Sequence, residues 1–268
     1  MIIIGEKLNG FVPKTLEAIN ARDDDYIRRI AKGQADAGAT YIDVCAGVEP
    51  EIEHEVMEWM ISLVQEVTDC PLCIDSPDPQ VVVDMMPMAK EVGCLNSISM
   101  EGKKCDVILP AIAGTDWKVV ALTCDDNGIP DDPQTKHEIA KQIMAKVDEY
   151  GVAHDNILFD PLVTTLGTNQ NSFINFIEAV KLIKADYPDV HFTSGLSNIS
   201  YGLPYRKAIN MQFLSLAMSM GMDSAIMDPM SRDMLAAMYA TEALLGNDSY
   251  CKNYLTAFRN DLFGPKKA

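Results

Sequence analysis

The stretch ILFDPL, residues 157–162, decides the fold, because a short apolar run here ends in a carboxylate that a proline follows at once. The same arrangement, an apolar run closed by acids, amides or hydroxyls, occurs eight times and alternates with longer stretches of helical spacing. Such an alternation predicts a (β/α)8 TIM barrel, a fold that keeps its chemistry at the carboxyl ends of its strands. The eight runs are 2–9 (IIIGEKLN), 41–47 (YIDVCAG), 72–76 (LCIDS), 94–99 (CLNSIS), 119–126 (VVALTCDD), 157–162 (ILFDPL), 191–198 (HFTSGLSN) and 224–229 (SAIMDP).

Polar side chains close the predicted strands, and in a barrel they converge on one mouth. Carboxylates and amides from several strands suit a fused heterocycle with ring N–H and exocyclic amine donors, as in a pterin. The residues alone leave an alternative open, in which acids such as Asp75 and Asp160 are caps for the following helices. The predicted mouth residues are Glu6, Asn9, Asp43, Asp75, Asn96, Asp125, Asp160, Ser197, Asn198 and Asp228.

Helical spacing between the strands predicts the outer layer of the barrel. The segment 51–68 has apolar residues on one face and acids in its first turns, where the helix dipole favours them. The segment 133–150 begins at a proline and is followed by Gly151, the usual punctuation of a helix. Further helices are predicted at 78–91, 102–114, 170–186, 204–220 and 231–245.

Length and composition predict one domain, residues 1–268, with an extra C-terminal helix at about 248–262 and a frayed tail at 264–268. A chain of 268 residues with 48% hydrophobic content is ordinary for one barrel. Its 39 acidic and 22 basic residues give a net charge of −17, which disfavours nucleic acid and anionic membranes as partners. No apolar run approaches membrane-spanning length, so a cytoplasmic protein is expected.

The cysteines and histidines do not predict a metal site. Seven scattered cysteines fit a reducing compartment better than a disulfide framework. Cys70 and Cys73 form a CxxC pair, but it lies at the entrance of a strand with no second pair beside it. A near match to a cobalt-ligating D-x-H-x-x-G signature at 189–195 has one residue too many and leads into a strand, so it is read as accidental.

The order and spacing of the motifs resemble those of the methyltetrahydrofolate:corrinoid/iron-sulfur protein methyltransferases. The resemblance covers essentially the whole chain and rests on GEKLNG (5–10), YIDVCAG (41–47), LCIDS (72–76), LNS (95–97), LTCDDNGIP (122–130), DPL (160–162), GLSNIS (195–200) and SAIMDP (224–229). It implies a homodimeric, pterin-binding barrel that moves a methyl group between N5 of tetrahydrofolate and a cobamide on a separate corrinoid protein. Tetrahydrofolate or 5-methyltetrahydrofolate is then a substrate, and no bound metal is predicted.

The resemblance also assigns roles to positions of this chain. Asn198 would hydrogen-bond near N5 from a mobile loop, and together with Asp160 it is the predicted catalytic pair. Cys45 departs from the asparagine usual in the family, and the stretch 201–205 departs from a more amidic one, which leaves a corrinoid protein of methylamine or betaine demethylation open as the partner. The implied pterin-binding residues are Asp75, Asn96, Asp160, Gly195, Ser197 and Asn198; the implied corrinoid or folate-tail contacts are Tyr201, Gly202 and Arg206; the supporting residues are Glu6, Asn9, Asp43 and Asp228.

Two other functions remain possible at this stage. A dihydropteroate synthase-like enzyme would expel diphosphate and so needs cations at the mouth, where strands seven and eight instead end in Ser197, Asn198 and Asp228. A non-catalytic subunit that only docks a corrinoid protein would need no chemistry at the mouth at all.

Overall fold

Eight parallel strands form the centre of the protein over residues 1–265, the part of the chain that the computed structural model describes. They follow one another in sequence around the sheet, and β1 pairs with β8, with Ile2 opposite Ser224. Between β7 and β8 a bridge joins Gly195 to Ile226, so the barrel is nearly closed. The predicted fold is confirmed. The strands are β1 (Ile2–Asn9), β2 (Tyr41–Cys45), β3 (Leu72–Asp75), β4 (Cys94–Met100), β5 (Lys118–Asp125), β6 (Ile157–Asp160), β7 (His191–Phe192) and β8 (Ser224–Met227).

Helices cover the outside of this barrel. Six of the predicted helices agree with the structure to within two residues, the one predicted at 78–91 ends at Met85, and the helices Pro13–Ala21 and Asp24–Asp36 were not predicted. Where a cap is present its chemistry is local: the Asp132 carboxylate accepts from the Thr135 N–H, and Gly151 ends the same helix at φ 69°. The helices are α1 (Pro13–Ala21), α2 (Asp24–Asp36), α3 (Pro50–Val67), α4 (Pro79–Met85), α5 (Lys104–Ile112), α6 (Pro133–Tyr150), α7 (Ser172–Asp186), α8 (Arg206–Ser219), α9 (Arg232–Leu244) and α10 (Lys252–Arg259).

Successive residues of each strand point to opposite faces, and this separates two apolar layers. The outward residues join the helices in the large core. The inward ones form a small plug inside the barrel, made by Ile4, Cys73, Cys94, Val120 and Leu158. Two residues further along the strands, on the same inward face, stand Glu6, Asp75, Asn96, Leu122 and Asp160. The polar layer therefore lies directly above an apolar floor.

Strand seven differs most from the prediction. The run 191–198 was expected to be one strand, but only His191–Phe192 pairs as such, and a 3-10 helix follows at Leu196–Ser200. The Gly195 N–H turns to the Asp160 carboxylate, 3.1 Å away, and not to a neighbouring strand. The end of this strand is thus given over to a loop at the mouth.

The C-terminal helix is also shorter than predicted, because it covers Lys252–Arg259 and not 248–262. A 3-10 helix at Ser249–Cys251 precedes α10, and the chain then turns so that Phe263 packs against the rings of Tyr239, Tyr254 and Phe258. Of the predicted frayed tail, residues 266–268 lie outside the described part of the chain. All seven cysteines are free thiols. Within residues 1–265 no helix combines the length and apolarity that crossing a membrane requires.

Candidate active site

Four polar side chains on β1 to β4 form one group inside the barrel, which we call the acid–amide cluster: Asn9, Asp43, Asp75 and Asn96. The Asn9 amide nitrogen donates to Asp43 Oδ2 at 3.0 Å and to Asp75 Oδ2 at 2.9 Å. Its own carbonyl oxygen accepts from the Phe11 N–H at 3.0 Å, which fixes the orientation of the amide. Asp75 and Asn96 face each other as partners in the β3–β4 register.

Burial raises the pKa of the two carboxyl groups in this cluster. Desolvation raises the pKa of Asp43 to about 6, although hydrogen bonds from Asn9, Cys73 and Asn96 oppose it. Desolvation, and then the charge of Asp43, raise the pKa of Asp75 well above its ordinary value. Because both carboxylates are buried and the negative charge of one disfavours ionisation of the other, the pair retains a proton to higher pH than an isolated aspartate. Among residues 1–265, no group lies within hydrogen-bonding geometry of the buried Asp43 Oδ1.

Cys45, where the resembled family has an amide, lies beside this cluster at the end of β2, in register with Asn9. Its side chain is buried in the barrel, and desolvation raises the pKa of the thiol. A hydrogen bond from this thiol contributes to lowering the pKa of Asp75. The departure thus replaces an amide by a neutral, weak donor.

Asp160 is held by the backbone at the end of β6. Its Oδ1 accepts from the Leu162 N–H at 2.7 Å and its Oδ2 from the Gly195 N–H at 3.1 Å. Desolvation raises its pKa to about 6, against these hydrogen bonds and the charge of Lys136. Each oxygen keeps a second lone pair, so Asp160 still has the capacity to accept from a bound ligand.

Sequence reasoning missed two buried polar residues that support the site. Lys136 of α6 is buried and donates its ammonium to the carbonyl oxygens of Pro161 and Leu162, at 2.5 and 2.7 Å, which fixes the turn after Asp160. Glu53 was read as a dipole-stabilising acid, yet it is buried and accepts from the Ser76 hydroxyl at 2.7 Å. Both occupy inward positions of amphipathic helices, which was the available signal.

On the opposite side of the mouth, Glu6 lines a cavity of about 250 Å³ with Ser197, Arg206 and Asp228. Desolvation, followed by the charge of Asp228, raises the pKa of Glu6 to about 7. The Asp228 carboxylate accepts from the Met230 N–H at 2.9 Å and lies 3.7 Å from the Lys7 ammonium. The Glu6 carboxylate makes no hydrogen bond or ion pair with any residue of 1–265.

The strand-seven loop, residues 195–205, carries Asn198 on its exposed surface. Arg206 anchors this loop, because its guanidinium donates to the Ser197 carbonyl at 2.6 Å and to the Ser200 hydroxyl at 3.1 Å. The guanidinium also lies 5.8 Å from the Tyr201 ring. Tyr201 is 71% exposed, and its neighbour Gly202 is exposed too.

The structure therefore groups most of the predicted site residues into two sides of one mouth. Asn9, Asp43, Asp75 and Asn96 come together on one side, and Glu6, Ser197, Arg206 and Asp228 on the other. Asp160 connects to the second side through Gly195. Asp125 is at the rim, but its carboxylate closes its own turn by accepting from the Asn127 N–H at 2.8 Å.

Comparisons with known proteins agree with this geometry. The family model described as pterin binding enzyme matches residues 14–228. A methylcorrinoid:tetrahydrofolate methyltransferase of Eubacterium limosum is 50% identical over 270 residues, covering 100% of both chains. A methionine synthase of Mycobacterium tuberculosis is 31% identical over 239 residues, which are 84% of this chain and 20% of that protein.

Solved structures show the same fold at low identity. A dihydropteroate synthetase with a bound product has a TM-score of 0.69 at 15% identity, covering 91% of this chain and 94% of that chain. Dihydropteroate synthase from Xanthomonas albilineans in complex with 7,8-dihydropteroate has a TM-score of 0.64 at 20% identity, covering 91% and 92%. Fold, motif order and full-length identity together lead to one conclusion: the chain belongs to the pterin-binding enzyme family, in the branch of the tetrahydrofolate and corrinoid methyltransferases.

Proposed function

We propose that the protein transfers a methyl group from a methylated corrinoid to N5 of tetrahydrofolate. In this reaction the N5 lone pair attacks the methyl carbon, the carbon–cobalt bond breaks with both electrons left on cobalt, and N5 gives up its proton. The products are 5-methyltetrahydrofolate and cobalt(I). The observation that carries the proposal is the convergence of Asp75, Asn96 and Asp160 above the floor of a barrel whose full-length relative bears this activity in its name.

The polar layer supplies what a pterin ring requires. Asp75 and Asp160 present acceptor oxygens to ring N–H and amine donors, and Asn96 both donates and accepts. Hydrogen bonds from Asn9 to Asp75, and from two backbone N–H groups to Asp160, hold these carboxylates in place before the ligand arrives, which lowers the entropic cost of binding. The apolar plug below, with Val120 and Leu158, offers a dry floor.

Asn198 is assigned to N5. Its side chain is exposed at the mouth, and its amide bonds to no other residue within 1–265. The amide is therefore available to a substrate. In the direction of N5 methylation this amide must leave the N5 lone pair free while the methyl group is transferred. A position on an anchored loop, and not on a strand, suits that rearrangement.

The corrinoid is proposed to arrive on a separate protein that docks at the mouth. Tyr201 and Tyr205, which are 71% and 77% exposed, offer aromatic surface beside the site for such a partner. A homodimer and a cytoplasmic location are further parts of this proposal, carried by the family resemblance.

A dihydropteroate synthase-like reaction is less well supported by the mouth. Diphosphate would need free cations there. The Arg206 guanidinium is engaged by Ser197 and Ser200, and the Lys7 ammonium lies beside Asp228.

The test is anaerobic incubation of the purified protein with methylcobalamin and tetrahydrofolate. Cobalt(I) absorbance and 5-methyltetrahydrofolate, measured by mass spectrometry, should appear together and in equal amounts. An Asp84→Asn variant, changed on the exposed face of α4, is the matched control and should behave as the wild type. Formation of dihydropteroate from a pterin diphosphate and 4-aminobenzoate, without methyl transfer, would overturn the proposal.

A further inference from the structure

Among the described acids at the mouth, Glu6 differs from the others because its carboxylate has no hydrogen-bond or ion-pair partner. Asp75 and Asp43 are bound by Asn9, Asp160 by two backbone N–H groups, and Asp228 by the Met230 N–H. The Glu6 side chain faces the 250 Å³ cavity and has no hydrogen-bond or ion-pair partner among the described residues. A carboxylate kept free of partners at a reaction site is suited to exchange a proton.

We propose that Glu6 accepts the proton that N5 of tetrahydrofolate loses when it is methylated. This assignment rests on the proposed function. The N–H bond breaks with its electron pair returning to nitrogen, and the proton forms an O–H bond on the Glu6 carboxylate, directly or through one water in the cavity. Glu6 then passes the proton to solvent. In the reverse reaction the protonated Glu6 returns it to N5.

Two features place Glu6 in position for this transfer. The same cavity is lined by Ser197, the chain neighbour of Asn198, so Glu6 shares an open volume with the loop assigned to N5. On the other side, the charge of Asp43 in the acid–amide cluster is near enough to affect the pKa of Glu6. With a volume of about 250 Å³ the cavity has room for several water molecules, enough for a path to solvent.

The charges around Glu6 support the same role. Burial and the negative charges of Asp228 and Asp43 raise its pKa to about 7, while the positive charges of Lys7 and Arg206 lower it. Lys207 is a further cation on the cavity wall. A base whose pKa lies near the working pH exchanges protons in both directions most effectively.

The experiment measures kcat/KM for tetrahydrofolate with methylcobalamin against pH, for the wild type and for Glu6→Gln. The wild-type value should rise with pH through about 7 and then level off, because only ionised Glu6 accepts a proton. The variant should lose about 100-fold in kcat/KM at the plateau and lose the rising limb. Its affinity for tetrahydrofolate, measured by equilibrium titration, should stay within about twofold of the wild type, which shows that it is folded.

Two further variants test the assignment even if Glu6→Gln fails to fold. Asp228→Asn removes a negative charge beside Glu6, so the rising limb should move to lower pH. Glu178→Gln, on the outer face of α7 and paired with Lys181, should leave the profile unchanged. Turnover by Glu6→Gln with an unchanged limb overturns the assignment alone, whereas no turnover by the wild type overturns the proposed function and this assignment with it.

Discussion

The acid–amide cluster and the strand-seven loop lie on facing sides of one mouth and are built in opposite ways. In the cluster, one Asn9 amide joins two carboxylates, and Asp43 is only 1% exposed. In the loop, Asn198 is exposed, and the side chain of Arg206 ties the segment down from outside. Under the proposed function, this difference assigns recognition of the ring to side chains fixed by buried hydrogen bonds, and the adjustment during methyl transfer to a loop held by the Arg206 side chain.

The largest expected effect tests the fixed side. Asp75→Asn should weaken tetrahydrofolate binding about 100-fold, because an amide N–H in place of an acceptor oxygen leaves a buried donor unpaired against the ring donors, which costs roughly 2.7 kcal/mol. Equilibrium titration with tetrahydrofolate measures this directly, with Asp84→Asn on α4 as the control. An unchanged affinity combined with a lower turnover would remove the distinction between the two sides.

The next effect follows from the raised pKa of Glu6, on the loop side of the mouth. The folded-state pKa of Glu6, about 7, is above its ordinary value of 4.5, so the folded protein binds more protons between these values and stability falls as pH rises through about 7. Glu6→Gln should remove the share of this fall that Glu6 contributes, leaving that of Asp43, Asp75 and Asp160, and should gain roughly 2 kcal/mol over the wild type at pH 8, relative to pH 5. Urea unfolding at both pH values measures the difference.

A carboxylate with the opposite shift provides the control for that measurement. The hydrogen bond from Lys104 lowers the pKa of Glu101, so its contribution is already complete above the ordinary value and is lost only in acid. Glu101→Gln should therefore displace the stability curve without changing its slope between pH 5 and 8. Parallel curves for Glu6→Gln and the wild type would contradict the prediction.

The smallest effect tests the anchored loop. Arg206→Lys keeps the charge but loses the forked guanidinium that reaches Ser197 and Ser200 together. We expect kcat to fall about tenfold, ~1.4 kcal/mol, with the affinity for tetrahydrofolate unchanged. Arg29→Lys, on the exposed face of α2, serves as the matched control. A loss of affinity of the same size would mean that the loop takes part in holding the ring.

Much of the fold followed from the sequence because its signals are local. Seven of the eight strands and six helices were predicted to within two residues, since side-chain period and helix caps depend on near neighbours. The helices α1 and α2 were not predicted, and α4 was predicted too long. Strand seven was predicted too long, because its apolar residues continue past Phe192 while the backbone turns toward Asp160. The burial of Glu53 was not predicted, because acids in a first turn are usually exposed, and only the neighbouring Ser76 shows why this one is buried.

The sequence by itself determined that carboxylates and amides would line the inner end of a barrel, because residues two apart on a strand share a face. Only the tertiary structure decided which of them work together. Asn9 bonds to acids 34 and 66 residues away, and such partners meet only when the barrel closes. The same closure buries Glu6 beside Asp228 and raises its pKa, since desolvation and charge proximity depend on distances in space and not along the chain.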